Sequence, residues 1–262
     1  MEFEGKDFLS ILYDEENMTE IIKCAVIDDN EFADILREHR MTKEKSTDRR
    51  VILTTAAIMR SRFIKLGTVP DLETVKNENH VVNASVNVMF YTSDFFTAPA
   101  STSYHGDWEG GLVDHSLAVL EAAIRMKDAY LDSKENKKLE PLWFLLHDVC
   151  KINCYELVDK NRKNPETGKW ETVKGFQTRK DFISAAHGTE SVSRIFQIMD
   201  RQECNWMKEL FTDNWRLAID YHMGLYNVSE GDKINYNNAI RKYPEILLMH
   251  HADMVASQIW KI

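Results

Sequence analysis

The chemistry of this chain is concentrated in the stretch Pro141-Leu-Trp-Phe-Leu-Leu-His-Asp-Val-Cys-Lys151. An apolar run that reads as a buried helix ends in His147-Asp148, with a cation at Lys151. Taking an imidazole and a carboxylate out of water is costly unless something compensates it. A divalent metal ion does so by accepting both side chains as ligands. The alternative is a hydrogen-bonded His–Asp pair that only caps or orients the helix, which for an isolated dipeptide is the simpler reading. The other histidines decide between the two.

His115 falls between Val113 and Leu117, just inside a helix expected over 112–130. His187 opens another helix that runs through Val192, Ile195 and Ile198, and His222 closes one expected over 206–221. Asp253 sits amid Leu247, Leu248, Met249, Met254 and Val255 in a last helix over 244–259. Each of these alone reads as a satisfied core residue. Together with His147-Asp148 they are five ligand-type stations in core-like settings, and a shared metal centre accounts for all of them. Imidazole with carboxylate suits Zn, Fe, Mn or Co, not a calcium cage built from oxygen alone. More than four ligands points to two ions, with one carboxylate bridging.

The elements that must carry these stations are helical. With 10 Gly and 5 Pro in 262 residues, long helices with short links are expected, around one sizeable core or a main domain with a small appendage. Residues 1–45 are acidic and helical in pattern, with His39 read as a surface or face-edge histidine. A helix over 51–66 follows cap residues at 46–48 and stops at Gly67. A loop or short turn is expected over 68–79, and 81–91 leans to helix. The adjacent Gly110 and Gly111 allow a sharp turn or a close backbone approach ahead of His115. The long polar stretch 153–181, with Asn164-Pro165 and Gly168, reads as a β-hairpin or flap, and it is the one locally cationic segment.

Composition sets outer bounds. Hydrophobic content of 44% with 29% charge is that of an ordinary soluble globular protein. A net charge of −9 provides no overall field for nucleic acid or an anionic membrane, while a small anionic substrate held by local cations or metals remains compatible. Cys24, Cys150, Cys154 and Cys204 are scattered and read as free thiols. The acidic opening is unlike a signal peptide, and no apolar stretch is long enough for a bilayer, so a cytoplasmic protein is expected.

The ordered stations resemble the HD-domain metal-dependent phosphohydrolases, whose pattern is H…HD…D, extended to H…HD…H…H…D in two-metal members. Gly110-Gly-Leu-Val-Asp-His115-Ser is similar to the family's first-histidine motif, and Leu146-His147-Asp148-Val-Cys-Lys151 looks like the signature with its trailing lysine. His187-Gly-Thr-Glu-Ser-Val192, His222-Met-Gly224 and His251-Ala-Asp253 fill the remaining stations in order. The stretch Asp94-Phe-Phe-Thr-Ala-Pro-Ala-Ser-Thr102 looks closest to a bacterial and phage-borne group, and no GYP tripeptide of the cyclic-dinucleotide phosphodiesterases follows.

The resemblance implies an all-α HD-domain bundle over 91–262 with a small hairpin or flap insertion, and a helical extension over 1–90 packed on it. It implies two divalent ions, drawn from Mn, Fe, Zn, Mg or Co. One would be held by His115, His147, Asp148 and Asp253, the other by His187 and His222 with Asp148 bridging. Metal-activated water would then attack a phosphate ester, with a nucleotide as the expected small substrate. Lys151 would bind a phosphate oxygen, its alternative being a surface lysine. His105 and Glu109 are candidates for proton donor or substrate contact. Glu190 would orient His187 or face solvent, and His250 would be supporting or structural. Two rival functions follow from the same residues: a non-catalytic module that senses a nucleotide, and a 3′-5′ exonuclease, against which the acidic charge weighs.

Overall fold

The computed structural model describes residues 8–67, 72–90, 93–131, 138–164 and 166–262. The acidic opening at 1–7, Pro70 in the expected loop and Pro165 in the hairpin turn lie outside them. The architecture is all-α with one small two-stranded antiparallel hairpin, as expected from the sparse Gly and Pro. In chain order the helices are α1 (Phe8–Tyr13), α2 (Glu15–Val26), α3 (Asp29–Met41), α4 (Thr47–Leu66), α5 (Leu72–Phe90), α6 (Gly111–Tyr130) and α7 (Pro141–Leu146). The hairpin β1 (Tyr155–Lys163) and β2 (Trp170–Thr178) follows, then α8 (His187–Met199), α9 (Asp213–Asp220), α10 (Lys233–Lys242) and α11 (Glu245–Met254).

Helix α7 is the hub. Every one of its side chains, Pro141 to Leu146, is buried, so it is apolar all round as an interior helix must be. Proline at its first position costs no hydrogen bond, since that N–H has no partner inside a helix. Ser61 of α4 accepts the next N–H, from Leu142, at 2.9 Å. Around α7 pack α4 and α6, and α11 and α3 pack in turn on α6. Arg60 of α4 also donates to the carbonyls of Cys24, Ala25 and Ile27, closing the end of α2. Of the helices before residue 91, α3 packs on α6 and α4 on α6 and α7, and α2 packs on α4.

Three local expectations are corrected. The loop expected over 68–79 gives way to α5 from Leu72, because Val75, Val82, Val86 and Met89 form a buried stripe that the intervening charges mask. The helix expected over 206–221 is two pieces, a 3-10 segment Gln202–Glu209 and then α9, with Thr212 at the N-cap of the second. The last helix stays α-helical to Met254 and widens into a π-helix over Val255–Trp260. The hairpin pairs Tyr155 with Thr178 through Lys163 with Trp170. Its cations are largely engaged: Arg162 with Glu171, Lys174 with Asp159, and Lys160 with the Thr102 carbonyl.

Glu140, at the N-cap of α7, is the exposed cost of this packing. It is 6% exposed, and its Oε2 has no hydrogen-bond partner. Burial pushes its carboxyl from 4.5 up to about 8, with Lys138 opposing weakly. The folded state then holds more protons than the unfolded chain between those two values, so stability falls as pH rises through that window. Glu140→Gln is expected to flatten this dependence and to be the more stable protein at the alkaline end. Denaturant unfolding at both ends of the window measures it, and an unchanged slope would rule Glu140 out as its source.

Candidate metal centre

Four of the five stations sit at or beside helix ends. His147 is the C-cap of α7, and the chain turns at Asp148, whose φ of −111° and ψ of 20° lie in the sparsely used bridge region. A single 3-10 turn over Val149–Lys151 then brings the Lys151 ammonium back onto Asp148 Oδ2 at 2.6 Å. His187 is the first residue of α8, and His222 lies two residues past the end of α9. His115 is in the second turn of α6, and Asp253 is near the end of α11.

These elements bring four histidines around the Asp148 carboxylate, with Asp253 against one of them. Oδ2 of Asp148 lies 3.6 Å from His115 Nε2 and 3.5 Å from His147 Nε2. Oδ1 lies 2.7 Å from His187 Nε2 and 3.4 Å from His222 Nε2. Asp253 Oδ1 is 3.2 Å from His115 Nε2. Among the described residues, two groups have ligand atoms close enough to share an ion: His115, His147 and Asp148, and Asp148, His187 and His222. The cluster is buried and able to hold a metal ion.

The test of fit is the state of the imidazoles. His147 Nδ1 donates to the Phe144 carbonyl at 2.8 Å, His222 Nδ1 to the Ile219 carbonyl at 2.6 Å, and His115 Nδ1 to the main-chain oxygen of Ile262 at 2.8 Å. A carbonyl accepts only, so in each ring the proton is on Nδ1 and Nε2 presents a lone pair. Those three Nε2 atoms are buried and have no hydrogen-bond partner in the protein. Buried polar atoms are rarely left so. Three of them converging on one carboxylate is the donor set a divalent ion requires, with the backbone carbonyls behind the rings fixing their tautomers.

The electrostatics agree. Burial holds His147 down at about 3, so it stays neutral and available as a ligand. Burial opposes ionisation of Asp148, but the Lys151 ammonium outweighs it and keeps the carboxyl well below its usual range. The four cysteines are free and buried, and burial pushes Cys150 up to about 12, which disfavours its thiolate.

Of the other candidates, His105 comes within 5.0 Å of His115, ring centre to ring centre, and its Nδ1 is buried without a partner. Burial holds it down at about 4. Glu109 has an exposed side chain, and what the fold uses is its carbonyl, which accepts from Arg50 at 3.1 Å. Lys151 is buried against Asp148, so the surface alternative is excluded. Glu190 accepts from Arg194 at 2.9 Å and braces the turn before α8 through the Ala185 N–H. His250 Nδ1 donates to the His222 carbonyl at 2.7 Å, so it supports a ligand.

Sequence reasoning missed a buried network beside the centre. His39, read as a surface or face-edge residue, is 4% exposed and lies 3.0 Å from Asp114 Oδ1. Arg50 forks onto both Asp114 oxygens at 3.0 and 2.9 Å, and the Trp108 indole donates to Oδ2 at 2.9 Å. Burial opposes ionisation of Asp114, but these donors outweigh it and hold the carboxyl down at about 2. Gly110 and Gly111 make this possible. A Cβ on Gly110 would strike the Arg50 guanidinium, and one on Gly111 would strike the Gly106 carbonyl. The sequence signal was Asp114 directly before His115, the neighbour of a ligand.

Gly188 sets the spacing of the other half. A Cβ there would lie 2.1 Å from the Asp220 carbonyl, two residues before His222. Gly188→Ala is therefore expected to push the first turn of α8 off α9 and to carry His187 away from Asp148. Calorimetric titration with Co2+ should show affinity lowered by about tenfold or more, the scale for residues behind metal ligands. Wild-type affinity in a folded variant would mean that the backbone approach does not set the site. Comparison with family models, with curated proteins and with solved structures finds no match for this chain, so its function is argued from this geometry.

Proposed function

We propose that this protein is a metal-dependent phosphohydrolase of the HD-domain kind, cleaving a phosphate ester of a small molecule, with a nucleotide as the expected substrate. The observation that carries the reading is the division of Asp148: one oxygen faces His115 and His147, the other faces His187 and His222. That division suits two divalent ions with Asp148 between them, Asp253 completing the first set. When bound, such ions supply an activated water near neutral pH and offset the charge of the phosphoryl group.

The chain's own residues have distinct tasks in this scheme. Lys151 keeps Asp148 ionised and uses one of its three donors to do so; another is assigned to a phosphoryl oxygen. His105, held neutral by burial, is suited to contact substrate and less to act as an imidazolium donor. The opening is on the His187 side, since that side chain is 31% exposed while those of His115, His147 and His222 are fully buried. A net charge of −9 favours a small substrate over a polyanion that needs a long cationic track. No helix among the described residues is long and apolar enough to cross a membrane.

Chelator-stripped protein reloaded with Mn2+ or Co2+ is expected to hydrolyse a generic phosphodiester and members of a nucleotide panel. Asp148→Asn should lose bound metal, and activity should fall more than about 100-fold, beyond the range for residues that merely support ligands. Lys151→Ala should keep its metal while kcat falls. Full metal occupancy in a folded Asp148 variant would overturn the centre. Full occupancy with no turnover on any phosphate ester would overturn the enzyme.

A further inference from the structure

The segment after the Asp253 station folds back onto the centre. Met254 is followed by a π-helix over Val255–Trp260, then by Lys261 in the left-handed region at φ 59°, which a residue with a Cβ seldom adopts. The turn is closed by the N–H groups of Lys261 and Ile262, both donating to the Ala256 carbonyl. It delivers the main-chain oxygen of Ile262 to His115 Nδ1 at 2.8 Å. At the other edge of the same ring, Nε2 lies 3.2 Å from Asp253 Oδ1. One short segment, 253–262, thus meets the His115 ring at both edges.

That segment is pinned from a distant part of the chain. Arg40 of α3 forks onto Glu121 at 2.7 and 3.3 Å, and its guanidinium lies 3.8 Å above the Trp260 ring. Glu121 is fully buried on α6, the helix that carries His115. The stack therefore ties Trp260 to the helix of the ligand that Ile262 contacts. A guanidinium engaged through its edge by a carboxylate still offers its flat face to an indole.

We infer that residues 253–262 and Arg40 form a positioning clamp on His115. The Ile262 main-chain oxygen selects the Nδ1–H tautomer and aims Nε2 at Asp148, and the Arg40–Trp260 stack with the Lys261 turn holds that oxygen in place. The inference rests on the metal-centre reading for its consequence and on geometry for its existence. It gives the N-terminal helix α3 a part in the site, although none of its residues touches Asp148.

Three substitutions test it. Trp260→Ala removes the stack, Lys261→Val puts a β-branched residue where φ is positive, and Lys261→Gly relieves that position. In metal-free protein, long-range proton–nitrogen NMR of the imidazoles should show His115 as a single Nδ1–H tautomer in the wild type and in Lys261→Gly. It should show a mixture in Trp260→Ala and Lys261→Val. Co2+ titration followed by visible absorption should show affinity reduced about 10–100-fold in the latter two, the scale for partners behind a metal ligand. Trp260→Phe, which keeps an aromatic face, should restore most of it. A single Nδ1–H tautomer in both disruptive variants, with wild-type Co2+ affinity, would overturn the clamp. The tautomer measurement needs no metal. A wild-type protein that takes up no Co2+ would therefore count against the metal centre, while the NMR result still decides the clamp.

Discussion

The rest of the structure depends on holding three unshared imidazole lone pairs and one carboxylate together out of water. A buried polar group without a partner costs about 1–3 kcal/mol, and a whole domain is stable by only about 5–15 kcal/mol. Three such atoms around Asp148 are a serious charge against folding. The fold meets it with α7, six consecutive buried side chains that include Trp143 and Phe144, placed directly ahead of the pair. An apolar helix and a polar site are neighbours here: the core supplies the rigidity, and a bound cation would restore what the lone pairs lose.

How the rings are held follows from helix ends. The last carbonyls of a helix have no partner within it. In α7 and α9 one of those carbonyls accepts from the ring of a histidine three residues on, Phe144 from His147 and Ile219 from His222. The geometry satisfies the helix and selects the tautomer in a single contact. His115, in the second turn of α6, has no free carbonyl behind it, because those of its own helix are committed to the helical ladder. Its acceptor must come from elsewhere in the chain, and Ile262 provides it.

This difference explains what could be read from the sequence. His147-Asp148 after an apolar run, and His187, His222 and Asp253 beside apolar residues, announce themselves because imidazole and carboxylate are out of place there. The hairpin was legible from its polar run with Asn164 and Gly168. Ile262 was not, because its contribution is a main-chain oxygen and every residue has one. His39 was misread because its partner is 75 positions away, and a lone histidine on a helix face gives no sign that a buried carboxylate will meet it. The start of α5 was missed for a related reason: polar and charged residues dominate 72–79, while the buried stripe that decides the helix has a single member there, Val75.

The two halves of the centre are built differently, and that has a physical consequence. His115, His147 and Asp253 come from α6, the end of α7 and α11, elements enclosed by the core. His187 comes from the partly exposed first turn of α8, which is held by discrete tethers. Gly188 packs on the Asp220 carbonyl, Thr189 donates to the Asp220 carboxylate at 2.9 Å, and Arg194 donates to the Val149 and Ile152 carbonyls of the turn after Asp148. The hairpin starts after that same turn and ends at Thr178, ahead of the segment that leads to His187, with Arg179 N–H closing its base on the Cys154 carbonyl. In the proposed enzyme the buried half would fix where chemistry happens, and the tethered, part-exposed half would be where a substrate arriving from solvent meets the site.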